Sequence, residues 1–355
     1  MFDLRYTNDI VLLIWIGIAA LLSRSATKKK VTVLGQEEER YSLLFAVVVF
    51  FPIFWFVTTV FMRSDMYAYQ SGYNGETMSV SEVFQNWNSI DKGPGYSLLV
   101  AFSKSLGIIN FQQFRLVLAL FESIPLVLIY RKYSDDYVFS IFLFIANGIY
   151  DGWMMNGMRQ FLAACIIFAA FPFMLKKKRV IIALLIVLLA MTVHKSAILM
   201  IPVILLVQFK PWSRLTVIMM IGFAIVLYIY IHRSDWMSEE ALQQAAGSNP
   251  LRIAVSAIPA VIAFIGRKQI AAANNHVVNI CVNMSIVTTV MYAVASLTSG
   301  IMAGRLPGYT LIFNFILFPY LLNKVFNETI SKNLRLGITL FYVAYFIFGL
   351  ITGAI

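Results

Sequence analysis

Most of the reactive side chains in this 355-residue sequence fall in a few short stretches. They are Arg63-Ser64-Asp65-Met66-Tyr67-Ala68-Tyr69, Asn156-Gly157-Met158-Arg159-Gln160, His194-Lys195-Ser196, Arg252, and Arg305 through Tyr309. Each lies at the end of an apolar run, where a charged or amide group is costly unless it meets a partner or water. Snorkelling of basic residues toward the interface explains a single arginine there. It does not explain the accompanying Asp65, Asn156, Gln160 and His194. Several arginines on one face offer planar, forked donors that suit a diphosphate headgroup. Arg159 opens a helix, whose N-terminal amides and dipole also favour an anion. Asp65 and His194 are the two groups able to take a proton from a hydroxyl near neutral pH. Tyr67, Tyr69, Trp87, Tyr96, Trp153 and Tyr309 add aromatic faces of the kind that contact sugars, although aromatics are equally ordinary at a membrane interface.

The elements that must hold these groups are membrane helices. Sixty per cent of the residues are hydrophobic and 13% charged, against roughly 25% charged in a soluble domain. Apolar runs repeat from end to end, so the chain reads as one integral membrane domain over 1–355. Candidate spans are 9–23, 41–62, 111–130, 137–152, 158–175, 179–194, 196–209, 215–231, 251–266, 277–298, 308–323 and 336–353. The first is expected to be a retained helix rather than a cleaved signal peptide, because no small-residue cleavage site follows it. The segment 95–107 is shorter than the roughly 20 residues a span needs and reads as re-entrant or interfacial. The fold class is therefore all-α: a polytopic bundle of about twelve spans plus that short helix.

Positive charge sets the orientation. Placing the loops 24–40, 131–136, 176–178, 210–214, 267–276 and 324–335 in the cytoplasm, with Arg179, puts 18 of the 28 Lys and Arg residues there. Both termini then lie outside, as do two hydrophilic insertions, 63–94 and 232–250. All five reactive stretches fall on that outer side. The formal charge of +11 follows this clustering between apolar runs, as topology signals do, and gives no support for nucleic-acid binding.

Other chemistries lack their residues. The sequence contains no Gly-rich phosphate loop, HExxH, CxxC or GxSxG motif. Cys165 and Cys281 sit inside apolar runs and read as small buried hydrophobes. Asp135-Asp136 reads as a solvated cytoplasmic turn, and Lys176 to Arg179 as a topology determinant. Glu122, inside the third span, is expected to hydrogen-bond a neighbouring helix.

Together Arg63-Ser64-Asp65 with Tyr67 and Tyr69, the Asn156-x-x-Arg159-Gln160 element, His194-Lys195-Ser196-Ala197 and Arg305 near Tyr309 resemble the EpsG family, Wzy-like polymerases of bacterial surface polysaccharides. The resemblance covers nearly the whole chain in span pattern and about fifteen positions in specific residues. It implies a glycosyltransferase of the lipid-dependent, GT-C-like membrane type, lying in the bacterial cytoplasmic (inner) membrane with its active site facing the periplasm or exterior. Its substrates would be oligosaccharide repeat units on undecaprenyl diphosphate. No cofactor or nucleotide sugar is implied, and a polysaccharide chain-length regulator is a possible partner. On that resemblance Arg159 and Arg305, helped by Arg63 or Arg252, neutralise the departing diphosphate. Asp65 or His194 is the general base, and Asn156, Gln160, Tyr67 and Tyr309 position sugars and phosphates. The alternatives are a flippase of lipid-linked oligosaccharide, an O-acetyltransferase of the same pathway and a secondary transporter. A flippase needs polar residues through the full membrane thickness, whereas here the spans between their ends are mostly apolar, with Glu122 and Arg115 as exceptions. No internal repeat of the transporter kind is evident.

Overall fold

A computed structural model describes residues 7–60, 62, 65–91, 93–233, 250–298 and 303–352. Each apolar run forms helix over most of its length. Helix α1 (Thr7–Leu22) leads through a hairpin, β1 (Lys28–Val33) and β2 (Gln36–Tyr41), into α2 (Leu43–Thr59). The insertion that follows is itself helical, with α3 (Met66–Gly75), α4 (Val80–Gln85) and α5 (Pro94–Ser105). Next come α6 (Phe111–Tyr133), α7 (Tyr137–Ala146), α8 (Met158–Ala169), α9 (Val180–Val193), α10 (Met200–Leu206) and α11 (Arg214–Arg233). The chain ends with α12 (Pro250–Ile265), α13 (Arg267–Ala273), α14 (His276–Ser296), α15 (Asn314–Tyr320) and α16 (Glu328–Thr352).

Four helices, α6, α11, α14 and α16, are long and apolar enough to cross a bilayer unaided, and two bent pairs raise that number to six. The expected twelve spans include shorter pieces. Helix α7 has ten residues, about 15 Å at 1.5 Å per residue. All ten are buried, so it is a core helix rather than a lipid-facing one. By contrast α1, α11 and α16 turn Ile14, Leu21, Ile218, Val226, Leu340 and Ile351 outward. Water would penalise such a continuous apolar exterior; hydrocarbon accepts it. This is an all-α membrane protein.

The basic loops gather at one end. Arg40, at the end of β2, donates to the Lys132 carbonyl at 3.1 Å and pairs with Asp135 at 3.2 Å. Arg335 of α16 pairs with Asp136 at 2.7 Å. Asp136 also caps α7 by accepting from the Phe139 amide. The Asp135-Asp136 pair is therefore a stitch between the hairpin, α7 and α16, not the solvated turn the sequence suggests. The hairpin is a further departure. Its register pairs Lys30 with Glu39 and Val31 with Glu38, and the turn passes through Leu34 and Gly35 with positive φ. Helix α6 spans 23 residues, about 35 Å, from this end to the other.

At the far end Arg115 of α6 is almost fully buried. It donates to the carbonyls of Val57 and Val60, the latter at 3.1 Å. Those are the carbonyls a terminating helix leaves unsatisfied. Arg115 thus fixes the exit of α2, five residues before Asp65. Glu122 is buried in the same helix, and its Oε1 meets no donor among the described residues.

The segment 303–325 completes the frame. It is broken, with its two halves bent by 46°. A break at membrane depth frees backbone carbonyls that need donors, and the core supplies them. Tyr130 donates to the Ile312 carbonyl at 2.9 Å, and Ser140 to the Phe315 carbonyl at 2.6 Å. Rings of Phe144, Phe168, Phe171, Phe313 and Phe315 pack edge-on around the bend. The first half of this segment carries Arg305 and Tyr309.

Candidate functional site

Asp65 occupies the N-cap position of α3, yet its carboxylate makes no capping bond. It reaches instead to Arg305, with 2.8 Å between Oδ2 and Nη2, across 240 residues of sequence. Both side chains stay partly open to solvent, so the pair is accessible and worth at most about 1 kcal/mol to stability. Beside it Arg159 stands over two aromatic rings, Tyr69 at 5.9 Å and Tyr96 at 5.6 Å. These groups, with Ser97 and Glu76, line a cleft of about 760 Å³.

The Asn-Gly-Met-Arg-Gln element divides its labour because successive helical residues point about 100° apart. Arg159 enters the cleft. Gln160 is buried and donates to the Arg305 backbone carbonyl at 3.0 Å, so it holds the protein rather than facing the opening. Asn156, just after a π turn over Tyr150–Met155, lines a second cavity. π turns recur at functional positions because they re-aim side chains.

His194 sits in the break between α9 and the turn Lys195–Leu199. Its Nδ1 lies 2.8 Å from the Ser196 hydroxyl, which lies 3.0 Å from the Tyr309 hydroxyl. Tyr309 is fully buried. Burial, reinforced by the neighbouring Arg159 and Arg305 guanidinium groups, holds the imidazole down from its ordinary 6.5 to about 4. His194 is therefore neutral at pH 7. The electrostatic coupling places it beside both arginines, although it lines neither cavity.

Two glycines let α5 reach the end of α9. Gly93 adopts φ of 98°, and a Cβ on it would lie 2.6 Å from the Val193 carbonyl oxygen. A Cβ on Gly95 would lie 2.1 Å from the Thr192 hydroxyl oxygen. The Gly-Pro-Gly run thus seats Tyr96 against Arg159 and brings α5 onto the residues preceding His194. Gly95→Val is expected to destabilise the protein by about 1–3 kcal/mol through overpacking. A thermal melt in detergent measures it, and Thr192→Ala added to Gly95→Ala should recover part of the loss. An unchanged melt for Gly95→Val would show that this approach does not position α5.

The structure brings Asp65, Arg159, His194, Arg305 and Tyr309 to one end of the bundle, with Asn156, Gln160 and Arg252 adjoining. Tyr67 is apart: it is exposed and does not line the cleft, while Tyr69, two residues on and about 200° around the helix, does. Arg63 and most of 232–250 lie outside the described residues. Tyr96, one of the aromatics the sequence singles out, lines the cleft. Glu76 joins it there, and Tyr292 and Tyr345 line the second cavity; none of these three has a distinguishing local motif. Among the described residues no group of three or more His, Cys, Asp or Glu is placed to hold a metal ion.

The fold and this polar end define a multi-helix membrane protein with a cationic, aromatic-lined cleft at one end. The chain belongs to the EpsG family, whose model matches residues 43–355, everything after the first helix and the hairpin. That family is related to the Wzy-like polymerases. No curated protein and no solved structure gives a significant match.

Proposed function

We propose that this protein polymerises a bacterial surface polysaccharide, joining oligosaccharide repeat units carried on undecaprenyl diphosphate at the outer face of the cytoplasmic membrane. The observation that carries the reading is the meeting of Arg159, Arg305 and Asp65 in one cleft, with neutral His194 behind them. Family membership supports a polymerase-like activity. The orientation rests on the basic loops at the opposite end of α6, which the positive-inside rule assigns to the cytoplasm. The twelve apolar segments then span or enter the bilayer.

In this mechanism the growing glycan on its lipid diphosphate is the donor. A hydroxyl of the incoming unit attacks the donor's anomeric carbon, forming the new glycosidic bond as the carbon–oxygen bond to the diphosphate breaks. Asp65 takes the hydroxyl proton, since its carboxylate lines the cleft and His194 does not. Arg159 and Arg305 neutralise the charge that develops on the departing diphosphate. Arg305 exchanges its pairing with Asp65 for the phosphate oxygens, which frees the carboxylate to act. Gln160 holds the Arg305 backbone, and the His194–Ser196–Tyr309 chain sets the floor beneath both arginines.

Deletion in the producing bacterium tests the reading through the length of its surface glycan. Loss of long chains with single repeat units still delivered outside is the expected result. Loss of all surface units would point to a flippase, and unchanged length to an acyltransferase.

A further inference from the structure

Arg305 is a wall shared by two cavities. One is the cleft of about 760 Å³. The other measures about 310 Å³ and takes its lining from Asn156, Trp153, Arg252 at the start of α12, Tyr292 of α14 and Tyr345 of α16. Arg252 therefore stands apart from Arg159, on the far side of Arg305, rather than in one diphosphate clamp with it.

The two linings ask for different ligands. The larger cleft offers the two guanidinium groups of Arg159 and Arg305 to a group that accepts hydrogen bonds, with the Asp65 and Glu76 carboxylates at their side. The smaller one offers Arg252 as donor and also a demand for a donor. Asn156 commits its Nδ2 to the Asp151 carbonyl at 3.1 Å, and its Oδ1 is buried with no hydrogen-bond partner among the described residues. A diphosphate cannot supply that donor; a sugar hydroxyl can, while its oxygens accept from Arg252. The aromatic side suits the C–H face of a pyranose ring. The Trp153 ring is held by close approach to Gly308, where a Cβ would lie 2.4 Å from it. The volume sits at the lower end of ligand-pocket sizes, about 300 Å³, which fits a short saccharide and not a lipid-linked oligosaccharide entire.

We infer that this second cavity is a carbohydrate subsite, in which Asn156 and Arg252 select a neutral saccharide residue of the repeat unit beside the diphosphate held in the cleft. The inference rests on the polymerase reading. It assigns sugar specificity to Asn156, Arg252 and Tyr292, and diphosphate affinity to Arg159 and Arg305.

Calorimetry on the purified full-length protein in detergent tests it with two kinds of probe. One is undecaprenyl diphosphate. The other is the producing strain's repeat-unit oligosaccharide freed of lipid, together with methyl glycosides of its reducing-end and non-reducing-end sugars. The two glycosides tell whether the donor's or the acceptor's sugar occupies the cavity. Asn156→Ala and Arg252→Gln are expected to weaken oligosaccharide binding about tenfold or more, the cost of a lost hydrogen-bonding partner, while undecaprenyl diphosphate stays within about twofold. Retained diphosphate binding also shows that each variant is folded, and Arg252→Lys, which keeps a donor, should bind the oligosaccharide at an intermediate strength. Unchanged oligosaccharide binding in both variants would overturn the inference, as would an equal loss of undecaprenyl diphosphate. Wild-type protein that binds undecaprenyl diphosphate and not the oligosaccharide removes the subsite and leaves the polymerase reading standing. Wild-type protein that binds neither removes both.

Discussion

Arg305→Ala is expected to leave the cell with single repeat units and no long polymer, at normal protein level. Arg305 pairs with Asp65, lines both cavities and has its backbone held by Gln160, so it is the donor placed between the carboxylate and both openings. Removing one preorganised donor to a developing anion costs about 10²–10³-fold in turnover, and a loss of that size reads as an empty ladder on a glycan gel. Misfolding is separable from this. The Asp65–Arg305 pair is partly exposed on both sides, so its loss should move stability by about 1 kcal/mol or less. Arg305→Lys keeps the charge and loses the fork, and should restore only short chains. Arg159→Lys is the companion test, because a lysine also forfeits stacking on Tyr69 and Tyr96. Full-length polymer from Arg305→Ala or from Arg159→Ala would remove the central assignment.

How much of this was legible in the chain follows from the range of each interaction. Apolar periodicity is local, and each expected segment proved helical. The polar stretches at helix ends come together at one end of the bundle, because burying such groups is expensive wherever they lie. What failed was direction. Tyr67 and Tyr69 are equivalent in composition, and only the helical twist of α3 decides that Tyr69 meets Arg159. Arg159 and Gln160 are neighbours, yet one faces the cleft and the other a backbone carbonyl. The cytoplasmic loop expected at 24–40 contains a hairpin, because its pairing depends on the turn at Leu34-Gly35 and not on the charge pattern. Tyr292 and Tyr345 sit mid-helix, where an aromatic looks the same whether it faces lipid, core or cavity. Arg252 and Arg159 line different cavities that share Arg305, a placement that no single stretch encodes.

Asp65→Asn should separate binding from chemistry. The substitution keeps shape and removes the proton acceptor, so turnover should fall about 10²–10⁴-fold, the usual contribution of a positioned base. It also removes the anion that competes for Arg305, so the Michaelis constant for the lipid diphosphate donor should hold or fall. A loss in turnover with intact donor binding is the signature of an interaction used only in the transition state. His194 is the control. Its folded-state value of about 4 lies below the ordinary 6.5, so the unfolded chain takes up a proton that the folded chain refuses. The stability tied to neutral His194 is thus complete above pH 6.5 and is lost as the pH falls toward 4. The wild-type melting temperature should drop over that window, and His194→Gln should flatten the drop. If the imidazole is support and not base, His194→Gln retains measurable turnover where Asp65→Asn does not. The reverse ranking would make His194 the proton acceptor and reduce Asp65 to the resting partner of Arg305.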